Sequence, residues 1–233
     1  MYLIFDTETT GLPKRWKAPL TDSENWPRCI QIAWQIHDIK GALIRHEDYL
    51  ISPDGFTIPF DSEKIHGIST ALAENQGTPL AEVLNKFHIA LNEVEFVVGH
   101  NVSFDRNIMG AEYLRSGLED VFEQKAVIDT CTEETARLCQ ISGGRGGKFK
   151  LPTLSELYYF LLSSLNTRAC TRYCTLSDAN YHVRMCTHLP VCFLNSQCTA
   201  QRKIHLMGEM KQLEFLGLLG WTAGMSPGLP MLL

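Results

Sequence analysis

Asp6 and Glu8 stand two positions apart, directly after the apolar run Tyr2-Leu3-Ile4-Phe5 and directly before Thr9-Thr10-Gly11. In an extended strand, residues i and i+2 point to the same face. Two carboxylates on one face at the end of a buried strand repel each other and lose hydration, so a positive group must offset the cost. A hard divalent cation such as Mg²⁺ is the simplest such group, because it takes oxygen ligands. A bare D-x-E is common in solvated turns. The apolar strand before this one and the turn after it make it a candidate metal site. A third acid, Asp105, follows the apolar run Phe96-Val97-Val98 and falls in the first turn of an expected helix. Taken alone it is an acid favoured by the helix dipole. Ligands commonly sit beyond strand ends in α/β sheets, which would bring Asp105 to the same edge as Asp6 and Glu8.

The elements that position these acids follow from periodicity and caps. Cys29 to Ile36 alternates, with Ile30, Ile32, Trp34 and Ile36 on one face, and reads as a strand. Lys40-Gly41 turns into a second strand, Ala42 to Ile51, forming a hairpin next to the first strand. Ser69 caps a short helix. Thr78 caps a longer one with Pro79 at its first position and Leu80, Val83, Leu84, Phe87 and Leu91 as its apolar stripe. Glu95 to Gly99 is a short strand, and a helix runs from near Ser103 to Arg115. Ala126 to Asp129 is another strand and Thr132 to Cys139 a helix. Gly143 to Lys150 is a flexible basic loop, and Thr153-Leu154-Ser155-Glu156 is a capping box opening a helix to Leu162. Residues 13–28, with Pro13, Pro19 and Pro27, read as a polar loop. The pattern predicts an α/β domain with a mixed β-sheet flanked by helices.

The 233-residue chain, with 45% hydrophobic and 20% charged residues, is of ordinary globular composition. No apolar run reaches the ~18 residues of a membrane span. The start shows no secretory pattern, and the eight cysteines are expected to be free thiols, so a cytoplasmic location is expected. A net charge of −5 excludes a basic nucleic-acid coat protein but not a nuclease, whose acids gather at metal ions. The balance is uneven: residues 1–157 hold 23 acids and 15 basic residues, residues 158–233 three and six.

D-T-E-T-T-G at 6–11, I-H-G-I at 65–68, G-H-N-V-S-F-D at 99–105 and L-P-T-L-S-E-L at 151–157 together resemble the DEDD-type (DnaQ-like) 3′→5′ exonucleases. Within that family they are most similar to the proofreading epsilon subunits of bacterial DNA polymerase III. The resemblance covers residues 1–162, and the first and third motifs, in this order and about a hundred residues apart, carry most of it. It implies a ribonuclease-H-like fold and removal of nucleotides from the 3′ end of single-stranded DNA, in proofreading or repair. It implies two Mg²⁺ or Mn²⁺ ions that activate a water and steady the leaving 3′-oxygen. By position, Asp6, Glu8 and Asp105 would be metal ligands and catalytic groups. Thr9, Gly11 and Leu12 would contact the terminal nucleotide, His66 and Ile68 would pack on its base or sugar, and Asn101 and Phe104 would line the strand-binding groove. His100 has a structural role in this reading. Arg145, Lys148 and Lys150 are placed to touch phosphate or to form a solvated loop. A polymerase subunit is an implied partner. RNA ends stay open, because no residue is assigned to sensing a 2′-hydroxyl.

The pattern breaks after residue 162. The family requires a fourth acid with a His five residues before it or a Tyr four before it, to take a proton from the attacking water. Position 187 after His182 is Thr187, position 193 after His188 is Phe193, and Tyr173 precedes Asp178 by five. Asp178 or His182 is therefore at most an irregular substitute. The composition from 163 onward, rich in Cys, Thr and Arg, resembles translation in a wrong frame, so residues 163–233 are expected to be an aberrant end. The rival expectation is a genuine insert with a zinc site drawn from Cys170, Cys174, Cys186, Cys192, Cys198, His182 and His188. A catalytically silent exonuclease-like module that binds a nucleic-acid end or a polymerase is the alternative to an active enzyme.

Overall fold

A computed structural model describes residues 1–119 and 122–160. Five strands form one sheet: β1 (Tyr2–Thr9), β2 (Cys29–His37), β3 (Leu43–Leu50), β4 (Phe96–Gly99) and β5 (Ala126–Asp129), in the order β3-β2-β1-β4-β5. The hairpin half, β3-β2-β1, is antiparallel, and β4 and β5 run parallel to β1. This is the mixed sheet expected from the sequence. The helices are α1 (Phe60–His66), α2 (Thr70–Gln76), α3 (Leu80–Asn92), α4 (Val102–Arg115) and α5 (Glu133–Cys139). A last helix, α6, occupies 154–160.

Alternation along β1 divides the core. Leu3 and Phe5 point to one face and pack with Trp34, with Val83, Leu84, Phe87 and Leu91 of α3, and with Ile108 and Met109 of α4. Ile4 points to the other face and packs with Ala33, Val98 and, from α6, Leu154, Leu157 and Tyr158. The sheet is thus covered on both sides, and β2 is buried along its whole length. Within it Gln31 Nε2 donates to Asp48 Oδ1 at 2.9 Å, and Gln35 Oε1 lies 3.0 Å from His37 Nε2.

Two local expectations are corrected. Ile30 does not share the face of Ile32, Trp34 and Ile36. The register shifts between Glu8 and Thr9, so that Glu8 opposes Gln31 while Thr9 opposes Cys29. The bulge turns Ile30 into a separate cluster with Ile58, Ile68 and Ala73 around α1 and α2. Thr78 does not cap α3; Pro79 takes that position. Thr78 is drawn into a bridge with Ile51, its N–H donating to Leu50 O at 2.7 Å and its carbonyl accepting from Ser52 N at 3.0 Å. Ser69 does cap α2, accepting from Leu72 N, and Thr132 caps α5.

The Gly143–Lys150 loop holds a short turn at Arg145–Gly147, and its lysines are committed to acids: Lys148 Nζ to Glu133 at 2.7 Å and Lys150 Nζ to Glu156 at 2.7 Å. The last two residues expected of α6, 161 and 162, together with Asp178, His182, His188, the zinc alternative and the rest of 163–233, lie outside the described residues. No helix among the described residues is long and apolar enough to cross a membrane.

Candidate active site

β1 continues past its apolar half through Asp6, Thr7 and Glu8, and all three are buried. Strand alternation sends Asp6 and Glu8 to the face of Ile4 and Thr7 to the face of Leu3 and Phe5. On that second face α4 arrives from β4. Its entry is tight: a Cβ at Gly99 would lie 2.7 Å from Val102 Cγ2, so the turn requires glycine there. Asn101 then takes the left-handed conformation (φ 62°), which Asn tolerates better than most residues. Its N–H donates to Asp129 Oδ1 at 2.8 Å, as does that of Cys131, so the end of β5 fixes the start of α4. His100 bridges the same corner, with Nδ1 2.9 Å from Thr130 Oγ1 and Nε2 3.0 Å from Pro152 O. That is the structural role expected of it.

The result is that Asp105, one turn into α4 and buried, is delivered to the middle of the acidic stretch. Its Oδ1 accepts from Thr7 N at 2.9 Å and from Thr7 Oγ1 at 2.7 Å. Thr7 lies between Asp6 and Glu8, so 98 residues of sequence separation close at that residue. The Cys29 thiol records the crowding of negative charge. Burial pushes it well up, and Glu112, Asp105 and Glu8 push it further in the same direction. It remains a protonated thiol, donating to Gln31 O.

The expected nucleotide-contacting residues fall into two groups. Thr9 is buried and its Oγ1 donates to Gly11 O at 2.6 Å, shaping the turn. Gly11 has φ 150°, which disfavours any side chain, and the position of its missing Cβ is 4.0 Å from Ser62 Oγ. That places α1 against the turn. Ser62 and His66, one turn apart, are the buried residues of α1. His66 Nδ1 accepts from Ile68 N at 3.1 Å, which leaves that nitrogen unprotonated and places the ring proton on Nε2. Ile68 itself sits in the apolar cluster with Ile30 and contributes to the site through this bond. Leu12, 72% exposed, and Phe104, half-buried beside Asp105, are the residues displayed outward.

Sequence reasoning missed two features. Glu112, on the same helix as Asp105 and fully buried, accepts from Arg28 Nε at 2.9 Å and Cys29 N at 2.9 Å and pairs with Arg115 at 3.2 Å. It ties α4 to β2. The other is Trp16, whose ring lies 5.8 Å from that of Phe104. The sequence did carry a signal for it, an aromatic set between basic residues in Lys14-Arg15-Trp16-Lys17.

The carboxylate-only donor set of Asp6, Glu8 and Asp105 suits a hard divalent cation by chemistry, but Asp6 and Glu8 lie on one face of β1 while Asp105 meets Thr7 on the other. Among the described residues no group of three or more His, Cys, Asp or Glu side chains is already gathered around one point. Asp105 is turned onto Thr7.

Comparison with known proteins bears on the family and the fold. The RNase_T family model, described as an exonuclease, matches residues 3–139. The chain is 30% identical over 131 residues to the DNA polymerase III PolC-type protein of Pediococcus pentosaceus, covering 56% of this chain and 8% of that protein. It is 35% identical over 130 residues to the PolC-type protein of Lactococcus lactis, covering 55% and 7%. Against a DNA polymerase III subunit epsilon-like protein of Rhodobacter capsulatus it is 33% identical over 118 residues, covering 50% and 15%. The chain therefore spans a small fraction of the curated relatives it matches. Among solved structures, E. coli Exonuclease I in complex with a dT13 oligonucleotide superposes with a TM-score of 0.58 at 18% identity, covering 91% of this chain and 40% of that one. Exonuclease I of Methylocaldum szegediense gives 0.53 at 20% identity, covering 68% and 34%. These two likenesses establish the fold.

Proposed function

This chain belongs to the RNase_T exonuclease family, and on that premise we propose that it is a divalent-metal-dependent 3′→5′ exonuclease acting on single-stranded DNA ends. The single observation that supports this most is the seating of Asp105 on Thr7, between the two strand acids. Asp6 and Glu8 would hold the ions from one face of β1, and Asp105 from the start of α4. When bound, the ions supply the positive charge that activates a water and steadies the leaving 3′-oxygen. The Thr7 N–H and hydroxyl orient the Asp105 carboxylate. The glycine turn at Gly11 lets the backbone approach a terminal nucleotide closely, with Leu12 beside it. The Ile68 N–H, donating to His66 Nδ1, fixes the orientation of the His66 ring on the α1 side of that turn. The PolC-type and epsilon-like relatives support a place beside a replicative polymerase.

A second reading, a domain that binds a nucleic-acid end without cutting it, is favoured by one observation: the sequence after residue 162 holds no acid with a His five residues or a Tyr four residues before it. Release of mononucleotides from a 3′-labelled oligonucleotide in Mn²⁺, compared between the natural chain and Asp6→Ala, separates the two. Release that disappears in the variant supports the enzyme. Equal rates in both remove the enzyme and leave the binding domain.

A further inference from the structure

The loop between β1 and β2 is built to hold one exposed aromatic ring in place. Asn25, buried, straddles it: its Oδ1 accepts from Arg15 N at 2.7 Å and its Nδ2 donates to Arg15 O at 3.0 Å. Lys14 N donates to Asn25 O at 3.2 Å. Arg15 Nη2 pairs with Asp22 at 2.7 Å, and Trp26 Nε1 donates to Pro19 O at 3.2 Å. From α4, Arg115 Nη2 donates to Ser23 O and to Trp26 O, both at 2.6 Å. Within this frame Trp16 remains 55% exposed and lies against Phe104, the residue next to Asp105, with the rings inclined at 50°. Lys14 and Lys17 flank it, exposed and without an ion pair among the described residues. A large apolar ring in water is unfavourable unless something covers it. A fixed ring with ammonium groups on either side matches the two needs of a single strand, a stacking partner for a base and charge for the adjacent phosphates. Because the loop is already ordered by its own hydrogen bonds, little freedom is lost on binding.

We propose that Trp16, backed by Phe104 and flanked by Lys14 and Lys17, is a stacking platform for a base of single-stranded DNA upstream of the 3′-terminal nucleotide. The proposal rests on the reading of the Asp6–Glu8–Asp105 region as a nucleic-acid-end site. Gly11 and Leu12 stand nearer the acids in the chain and serve the terminal nucleotide. Trp16 lies farther along the same loop, so it serves a base further from the cut.

The test is binding of 5′-fluorescein-labelled dT10 to the full chain by anisotropy in EDTA, where no cleavage occurs. Trp16→Ala should weaken binding about tenfold, and Trp16→Phe should stay within about twofold. Asn25→Ala should lie between them, since it frees the loop but keeps the ring. The idea is overturned if Trp16→Ala binds as well as the natural chain, if Trp16→Phe is as weak as Trp16→Ala, or if the natural chain does not bind dT10. Hydrolysis of the p-nitrophenyl ester of thymidine 5′-monophosphate in Mn²⁺ separates this from the proposed activity, because the ester has no upstream base. A rate unchanged by Trp16→Ala supports the upstream placement, and a rate that falls as far as oligonucleotide binding overturns it. If the ester is not hydrolysed while dT10 binding still depends on Trp16, the hydrolytic reading fails and the platform stands.

Discussion

Thr7 has no charge, yet the position of Asp105 depends on it. A hydrogen bond contributes about 0.5–1.5 kcal/mol net, and Thr7 makes two to the same oxygen. Thr7→Val keeps the shape and the N–H while deleting the hydroxyl. We expect it to lower kcat about tenfold with little change in KM, since the carboxylate would be less well aimed while the strand-binding surface is untouched. Thr7→Ser should restore most of the loss. Steady-state rates on a short oligonucleotide at saturating Mn²⁺ measure both, and a Thr7→Val enzyme with natural kcat would show that Asp105 needs no such guide. The D-x-E spacing was legible because strand period alone sets it. The contact between Thr7 and Asp105 was not, because it depends on how α4 enters, through Gly99 and a left-handed Asn101.

At the scale of elements, two attachments decide where the acids sit. Glu112 anchors α4 to β2 through Arg28, Cys29 and Arg115 while being wholly excluded from water. Removing one partner of a buried pair leaves the other charge uncompensated, at about 3–5 kcal/mol. Glu112→Ala should therefore lower the melting temperature by roughly 10 °C in a calorimetric scan; a loss of only a degree or two would mean that the arginines find water instead. The link to β2 was invisible in the sequence, because Arg28 and Cys29 lie 84 and 83 residues from Glu112 and no local period connects them. The Thr153–Glu156 capping box was legible because it is local. Glu156 accepts from Thr153 N and Thr153 Oγ1 as well as from Lys150, and Lys150 first and then the Thr153 N–H hold its carboxyl down to about 2. A carboxyl lower in the folded state than in the unfolded one stabilises above its unfolded value, and the contribution disappears as pH falls through the folded value. Amide protection of 154–160 should thus hold from pH 7 to 5 and fall between about 4.5 and 2. Glu156→Gln should remove that dependence; a titration identical to the natural chain's would assign the acid transition elsewhere.

For the whole molecule, the logic is one of a sheet buried on both faces whose central strand carries charge at one end. Leu3 and Phe5 bind α3 and α4 to one face, while Ile4 binds α6 to the other, so Asp6 and Glu8 emerge on the side that α6 covers. The described part of α6 ends at residue 160 on that side. This is where a fourth carboxylate would have to come from if the two strand acids are to share their ions with it. The sequence after 162 offers no His or Tyr at the family's spacing before an acid, and its composition departs from that of the first 157 residues. We therefore expect the gene, translated in the other two frames from codon 160, to yield an H-x-x-x-x-D followed by an apolar helical stripe. A chain carrying that restored segment should release mononucleotides at least a hundredfold faster than this one, the range a positioned general base contributes. Purified protein of each form, assayed on the same 3′-labelled oligonucleotide in Mn²⁺, gives the comparison. Failure to find the motif in either frame, or equal rates from the two chains, would mean that the three acids around Thr7 define all the chemistry this domain has.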